Sequence, residues 1–188
     1  MKQLVLIILL LWGNFQLILS QGSSARPLML YGDTSRVGVP YSKDPHVVNF
    51  QGRYLMYHSI PPMKGEPDSG WNIGIAESKD LMNWTKVGEI TPAPEADYEK
   101  KGLCAPGALV KDGKVHLFYQ FHPYSEVWEP MHLGHYETED FIKWTELPVA
   151  LAPDKAYDEA GCFSGSGIET EKGHLLVYTG VIEKEIKK

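Results

Sequence analysis

Asp44 stands directly before a proline, in Ser42-Lys43-Asp44-Pro45-His46, at the head of a short apolar run. A residue before proline is pushed out of the helical region towards an extended backbone, which fixes the direction of its side chain. A carboxylate held that way at the mouth of a cleft can serve as a nucleophile or a general base. Asp-Pro also opens strands for reasons of turn chemistry alone, and both readings stand at this point. Other groups suit a polyhydroxylated ligand. Trp71 and Trp128 can stack on a sugar ring or pack inside, and Asp33 and Arg36 can bond hydroxyl groups or form loop pairs. His132 and His135 look like a short metal motif, but on a strand a spacing of three puts them on opposite faces. No metal site is expected.

Such residues need a scaffold, and the chain repeats itself. Gly74, Glu77, Asp80, Trp84 and Thr85 recur at an offset of 60 as Gly134, Glu137, Asp140, Trp144 and Thr145. Upstream of these, the Gly52-Arg53-Tyr54-Leu55-Met56-Tyr57 run returns at Gly113 and again at Gly173. Within the first unit, 45–50, 53–58, 71–77 and 84–87 are short stretches rich in Val, Ile, Tyr and Trp, separated by Gly, Pro and Asp turns. Sustained helical periodicity is missing. Four short antiparallel strands per unit describe a β-propeller blade, so the chain reads as all-β, with blade-like units at 40–98, 99–158 and an incomplete 159–188. Counting back from the repeated glycines, Ala105 and Gly165 are the counterparts of Asp44.

Composition narrows the partners. With 43% hydrophobic and 22% charged residues the chain is ordinary globular material. Its net charge of −6 comes without a basic run, so nucleic acid is not an expected partner. Residues 1–24 read as a secretory signal peptide, with Lys2, an apolar stretch from Val5 to Trp12 and small or polar residues near the cut. The expectation is a secreted or periplasmic protein with no membrane anchor after cleavage. Cys104 and Cys162 are the two cysteines, and spacing alone leaves open whether they pair. Oligomeric state is not legible.

From Gly113 onward the motifs carry a resemblance. Gly113-Lys114-Val115-His116-Leu117-Phe118-Tyr119-Gln120, Trp144-Thr145-Glu146-Leu147-Pro148 and Cys162-Phe163-Ser164-Gly165-Ser166-Gly167 resemble the N-terminal part of glycoside hydrolase family 32, the invertases and fructanases. The first unit, with Lys43-Asp44-Pro45, is similar to propeller hydrolases of the family 43 and 117 type. The resemblance implies a five-bladed β-propeller, of which this chain holds about two and a half blades, and hence a truncated product or a fragment. It implies a carbohydrate substrate, β-fructofuranoside-like or arabinoside- or galactoside-like, and a two-carboxylate mechanism without metal or organic cofactor. It places Phe163 and Ser164 near the sugar. One departure stands out, because the family 32 nucleophile falls on Ala105, a residue that cannot ionise. Asp44, one unit earlier, matches the first-blade carboxylate of the wider clan. The acid carboxylate is expected in later blades. A non-catalytic sugar-binding relative, or an inactive remnant, is the competing reading.

Overall fold

The computed structural model describes residues 31–92, 102–121 and 130–182, and the segment 1–24 and Trp128 lie outside the described residues. Strands β1 (Lys43–Phe50), β2 (Arg53–Ile60), β3 (Asn72–Ser78) and β4 (Thr85–Ile90) form one antiparallel sheet in chain order. β5 (Leu103–Lys111), β6 (Lys114–Phe121), β7 (His132–Thr138) and β8 (Thr145–Leu151) form a second sheet of the same order. β9 (Gly161–Thr170) and β10 (Gly173–Val181) make a third, two-stranded sheet. The architecture is that of two propeller blades and half of a third.

The repeated residues explain the repeated strands. Gln51-Gly52 and Asp112-Gly113 close the first hairpin of each full blade, with both turn residues at positive φ; this is the turn geometry that matches the twist of paired strands. At the next corner the Asp80 carboxylate accepts the amides of Met82 (2.9 Å) and Asn83 (2.8 Å), and Asp140 accepts those of Ile142 (2.8 Å) and Lys143 (2.9 Å). Ser78 and Thr138 fill matching roles, each accepting the amides two and three residues on. Gly74 and Gly134 are small for one reason: a Cβ would come within 2.5 Å of the His58 ring in the first blade and 2.4 Å of the Tyr119 ring in the second.

Blades join by a repeated staple. The Leu103 amide bonds the Trp71 carbonyl at 2.7 Å, and the Cys162 amide bonds that of Met131 at 2.8 Å, so the start of each third strand holds the first strand of the next blade. Between the full blades lies one apolar core, with Leu55, Tyr57, Ile73 and Ile75 facing Leu117, Tyr119, Phe121 and Tyr136. Trp144 packs edge-on against Tyr57 with ring centroids 5.9 Å apart. Its repeat partner Trp84, half-buried like Trp144, donates its indole N–H to the Leu81 carbonyl at 3.1 Å. On the third sheet Ile168, Leu175 and Val177 are each 52% exposed.

Two details differ from the sequence reading. Asp44 is not extended but left-handed, at φ 51°, and Ala105 repeats this at 49°. The cause is a β-bulge: Lys43 pairs with Ser59 and His46 with Tyr57, so Asp44 and Pro45 together oppose His58. A pre-proline residue avoids the right-handed helical region, and here the bulge takes it to the left-handed one instead. The other detail is the counterpart in the third unit. Its hairpin turn is Glu171-Lys172, and Gly173 is already the first residue of β10, paired with Thr170. Counting from that turn puts Ser164, not Gly165, level with Asp44 and Ala105, and β9 is also irregular there, between the Tyr178–Gly165 and Thr179–Phe163 pairs.

Candidate active site

The first strands of the three sheets lie side by side, with β5 between β1 and β9. His46 of β1 bonds the backbone of Ala108, and a Cβ on Gly107 would lie 3.2 Å from the Gly165 carbonyl. Their bulges therefore fall at one end of the molecule. Among them only Asp44 carries an acid. Its side chain is 35% exposed.

Asp44 has defined neighbours. The Ser59 hydroxyl donates to its Oδ2 at 3.3 Å, and the Lys43 ammonium stands 3.7 Å from the same oxygen. That ammonium lies 6.0 Å from the centre of the Trp71 ring, which in turn has Tyr41 at 6.1 Å. The Trp71 backbone is fixed by the interblade staple, so the blade junction itself sets its half-buried ring beside the Lys43 ammonium that faces the carboxylate. Cys104, adjacent to Ala105, completes the group. Burial pushes its thiol up to about 11, and the negative charge of Asp44 adds to the shift while Lys43 opposes it. Both cysteines are free thiols. Burial, then the Asp158 charge, likewise pushes Cys162 up to about 11.

Arg36 is placed elsewhere. It is buried, its Nε donates to Glu89 at 3.0 Å, its Nη2 bonds the same carboxylate, and its Nη1 reaches the carbonyls of Gly70 (3.2 Å) and Pro61 (3.4 Å). Beside it Lys86 bridges Asp33 at 2.8 Å and Glu89 at 2.9 Å, and Asn72 donates to Glu89 at 2.6 Å. Burial works to raise the pKa of Asp33 and Glu89, but hydrogen bonds outweigh it and both sit below the usual carboxylate range: Lys86 and Ser35 act on Asp33, and Arg36, Lys86 and Asn72 on Glu89. The group latches the segment 31–42 onto the first blade. With every donor nitrogen engaged, Arg36 is a clamp here rather than part of the group around Asp44.

Phe163 is half-buried and packs over Gly161, whereas Ser164 is exposed, its carbonyl accepting the Thr179 hydroxyl at 3.4 Å. Both lie on the third sheet's first strand, at the same end as Asp44. His132 and His135 face different neighbours: His132 lies near Phe121, while His135 stacks on Phe118 and meets His116 at 3.0 Å. Sequence reading passed over Ser59, Lys43 and Tyr41. Ser59 had a signal, since it pairs with Lys43 across the β1–β2 hairpin, next to the bulge residues. Tyr41 had none, because it precedes the motifs that recur in the later units.

Comparison with known proteins adds the following. Residues 105–188 match the model of the glycosyl hydrolases family 32 N-terminal domain. Over 76 residues the chain is 46% identical to a sucrose-6-phosphate hydrolase of Zymomonas mobilis, a match covering 40% of this chain and 15% of that protein. Among solved structures it is similar to a family 32 β-fructofuranosidase of Bombyx mori, with a TM-score of 0.61 at 15% identity over 81% of this chain and 32% of the other. A family 117 glycoside hydrolase of Zobellia galactanivorans gives a TM-score of 0.60 at 17% identity, over 73% of this chain and 47% of the other. The structural likenesses show the β-propeller fold. The chain spans well under a third of the length of the curated relative named here.

Proposed function

We propose that this chain supplies the first blades of an exported glycoside hydrolase, with Asp44 as its nucleophile or general base and Trp71 as a platform for a sugar ring. The observation carrying this reading is the position of Asp44: a partly exposed carboxylate on a left-handed bulge, hydrogen-bonded by Ser59 and facing the Lys43 ammonium, which lies 6.0 Å from the centre of the Trp71 ring. Glycoside hydrolysis places two carboxylates across the scissile bond. Among the described residues, the side chains gathered around Asp44 (Lys43, Ser59, Trp71 and Cys104) include no second one, and the family resemblance assigns the acid to a later blade. The match of residues 105–188 to family 32 favours a β-fructofuranoside, and Asp44 in the first unit keeps an arabinoside- or galactoside-like substrate in play. Phe163 and Ser164 then border the sugar from the third sheet. The mechanism needs neither a metal nor an organic cofactor.

A second reading, a non-catalytic sugar binder, draws on the resemblance, which sets Ala105, a residue that cannot ionise, where family 32 has its nucleophile. Hydrolysis of sucrose and of aryl arabinofuranosides by the intact polypeptide, with and without Asp44→Asn, separates the two. An enzyme loses turnover with the substitution while sugar binding stays close to wild type. A binder shows no turnover in either form.

A further inference from the structure

Ser59 is wholly buried near the end of β2, and its hydroxyl sits between two blades. It accepts the backbone N–H of Ala105 at 2.7 Å and donates to Asp44 Oδ2 at 3.3 Å. A hydroxyl has a single proton to give. With the amide holding the oxygen from one side, that proton goes to the carboxylate. We propose that Ser59 is the positioning residue of Asp44, relaying the Ala105 amide of the second blade to the carboxylate of the first. This rests on the reading of Asp44 as the reacting carboxylate and extends it to the group that aims it.

The relay gives the bulge in the second blade a role although it carries no acid. A bulge leaves its extra residue outside the strand ladder, and the left-handed φ of 49° at Ala105 goes with an amide that bonds Ser59 instead of β6. Hydrogen bonds in series polarise one another in a buried setting, so the chain N–H, O–H, carboxylate holds the ionised form of Asp44 in one orientation. The charged and titratable groups bearing on the assembly are Asp44 and Lys43 on β1, His46 further along the same strand, and the Cys104 thiol on β5.

The test follows the Ala105 amide by NMR across an acid titration of the intact chain. In wild type the amide proton should shift in step with the side-chain carboxyl carbon of Asp44. The step should vanish in Asp44→Asn and in Ser59→Ala, and return in Ser59→Thr, which keeps the hydroxyl. Persistence of the step in Ser59→Ala overturns the proposal, as does its absence in wild type while the Asp44 carboxyl titrates. Should Ser59→Ala fail to fold, wild type and Asp44→Asn still decide: a step lost with the carboxylate supports the relay, and a wild-type amide with no step overturns it. Turnover plays no part in this readout. A relay without hydrolysis unseats only the glycosidase reading, and Asp44-dependent hydrolysis without a relay unseats only Ser59.

Discussion

The first and second blades are built on one plan, and the divergence that matters for chemistry falls at one position. Each has a two-residue hairpin turn at positive φ, an Asp-centred corner, a glycine beneath a ring and a pre-proline residue in the left-handed region. In the first blade that residue is Asp44 and in the second Ala105. The backbone shape is thus independent of the side chain's chemistry. Asp tolerates the left-handed region through local hydrogen bonding, whereas Ala has no such compensation. The first blade bears a reactive group on this shape, and the second bears strain that its amide, bonded to Ser59, offsets. The blades also differ in their covering, since the first is capped by the latched segment 31–42 and the second by β9.

The largest expected effect tests the divergence directly. Asp44→Asn should lower turnover by more than the ~10²–10⁴-fold that proton transfer alone contributes. Retention of turnover within about tenfold would return the reacting carboxylate to another blade. Next comes the covering of the first blade. Arg36→Met takes one of three partners from the partly buried Glu89 carboxylate, leaving Lys86 and Asn72, and should cost about 1.5–3 kcal/mol in denaturant unfolding. The same latch carries a pH signature. Asp33 and Glu89 have folded pKa values below their unfolded ones, so their contribution is complete above the unfolded values near 4 and is lost as pH falls through the folded ones. The acid limb of the stability curve should flatten in Arg36→Met, and an unchanged limb would mean that the latch is not the acid-sensitive element.

Glycine substitutions probe the junction against a turn. At Gly102 (φ +102°) a Cβ would fall 2.1 Å from the Trp71 carbonyl oxygen, while at Gly113 (φ +76°) it meets open space. Gly102→Ala should therefore cost about 3 kcal/mol or more and Gly113→Ala about 1; equal losses would dissolve the distinction. The smallest effect is a gain. Ala105→Gly relieves the left-handed strain and should raise stability by about 0.5–1 kcal/mol, with Asp44→Gly gaining less. Equal gains at the two sites would show that the Asp side chain does nothing for its own backbone.

Strand positions, corner aspartates and the sixty-residue repeat were open to reading because each depends on local turn chemistry and alternation. Asp44 was legible as a candidate for the same reason. Its backbone conformation was not, because a bulge is a property of two strands in register and the pre-proline rule considers one. The counterpart in the third unit was misplaced by a single residue, since Gly173 serves in a strand where Gly52 and Gly113 serve in turns. Pairing was one of two readings open for Arg36, but its partners stayed hidden because Glu89, Gly70 and Pro61 come from distant parts of the first blade.

The interblade staple bears on how the molecule comes into being. Within a blade every strand pairs with its neighbour in the chain, and among the described residues one backbone bond, from Leu103 to Trp71 or from Cys162 to Met131, stitches a new blade's first strand to the preceding sheet. Contacts this local favour rapid formation, and on the ribosome the N-terminal part folds first. Each blade can close soon after it emerges from the exit tunnel, and its third strand then offers the next one a single carbonyl as a starting point. Assembly would run as a zipper with a tooth every sixty residues, each new blade meeting a template already set.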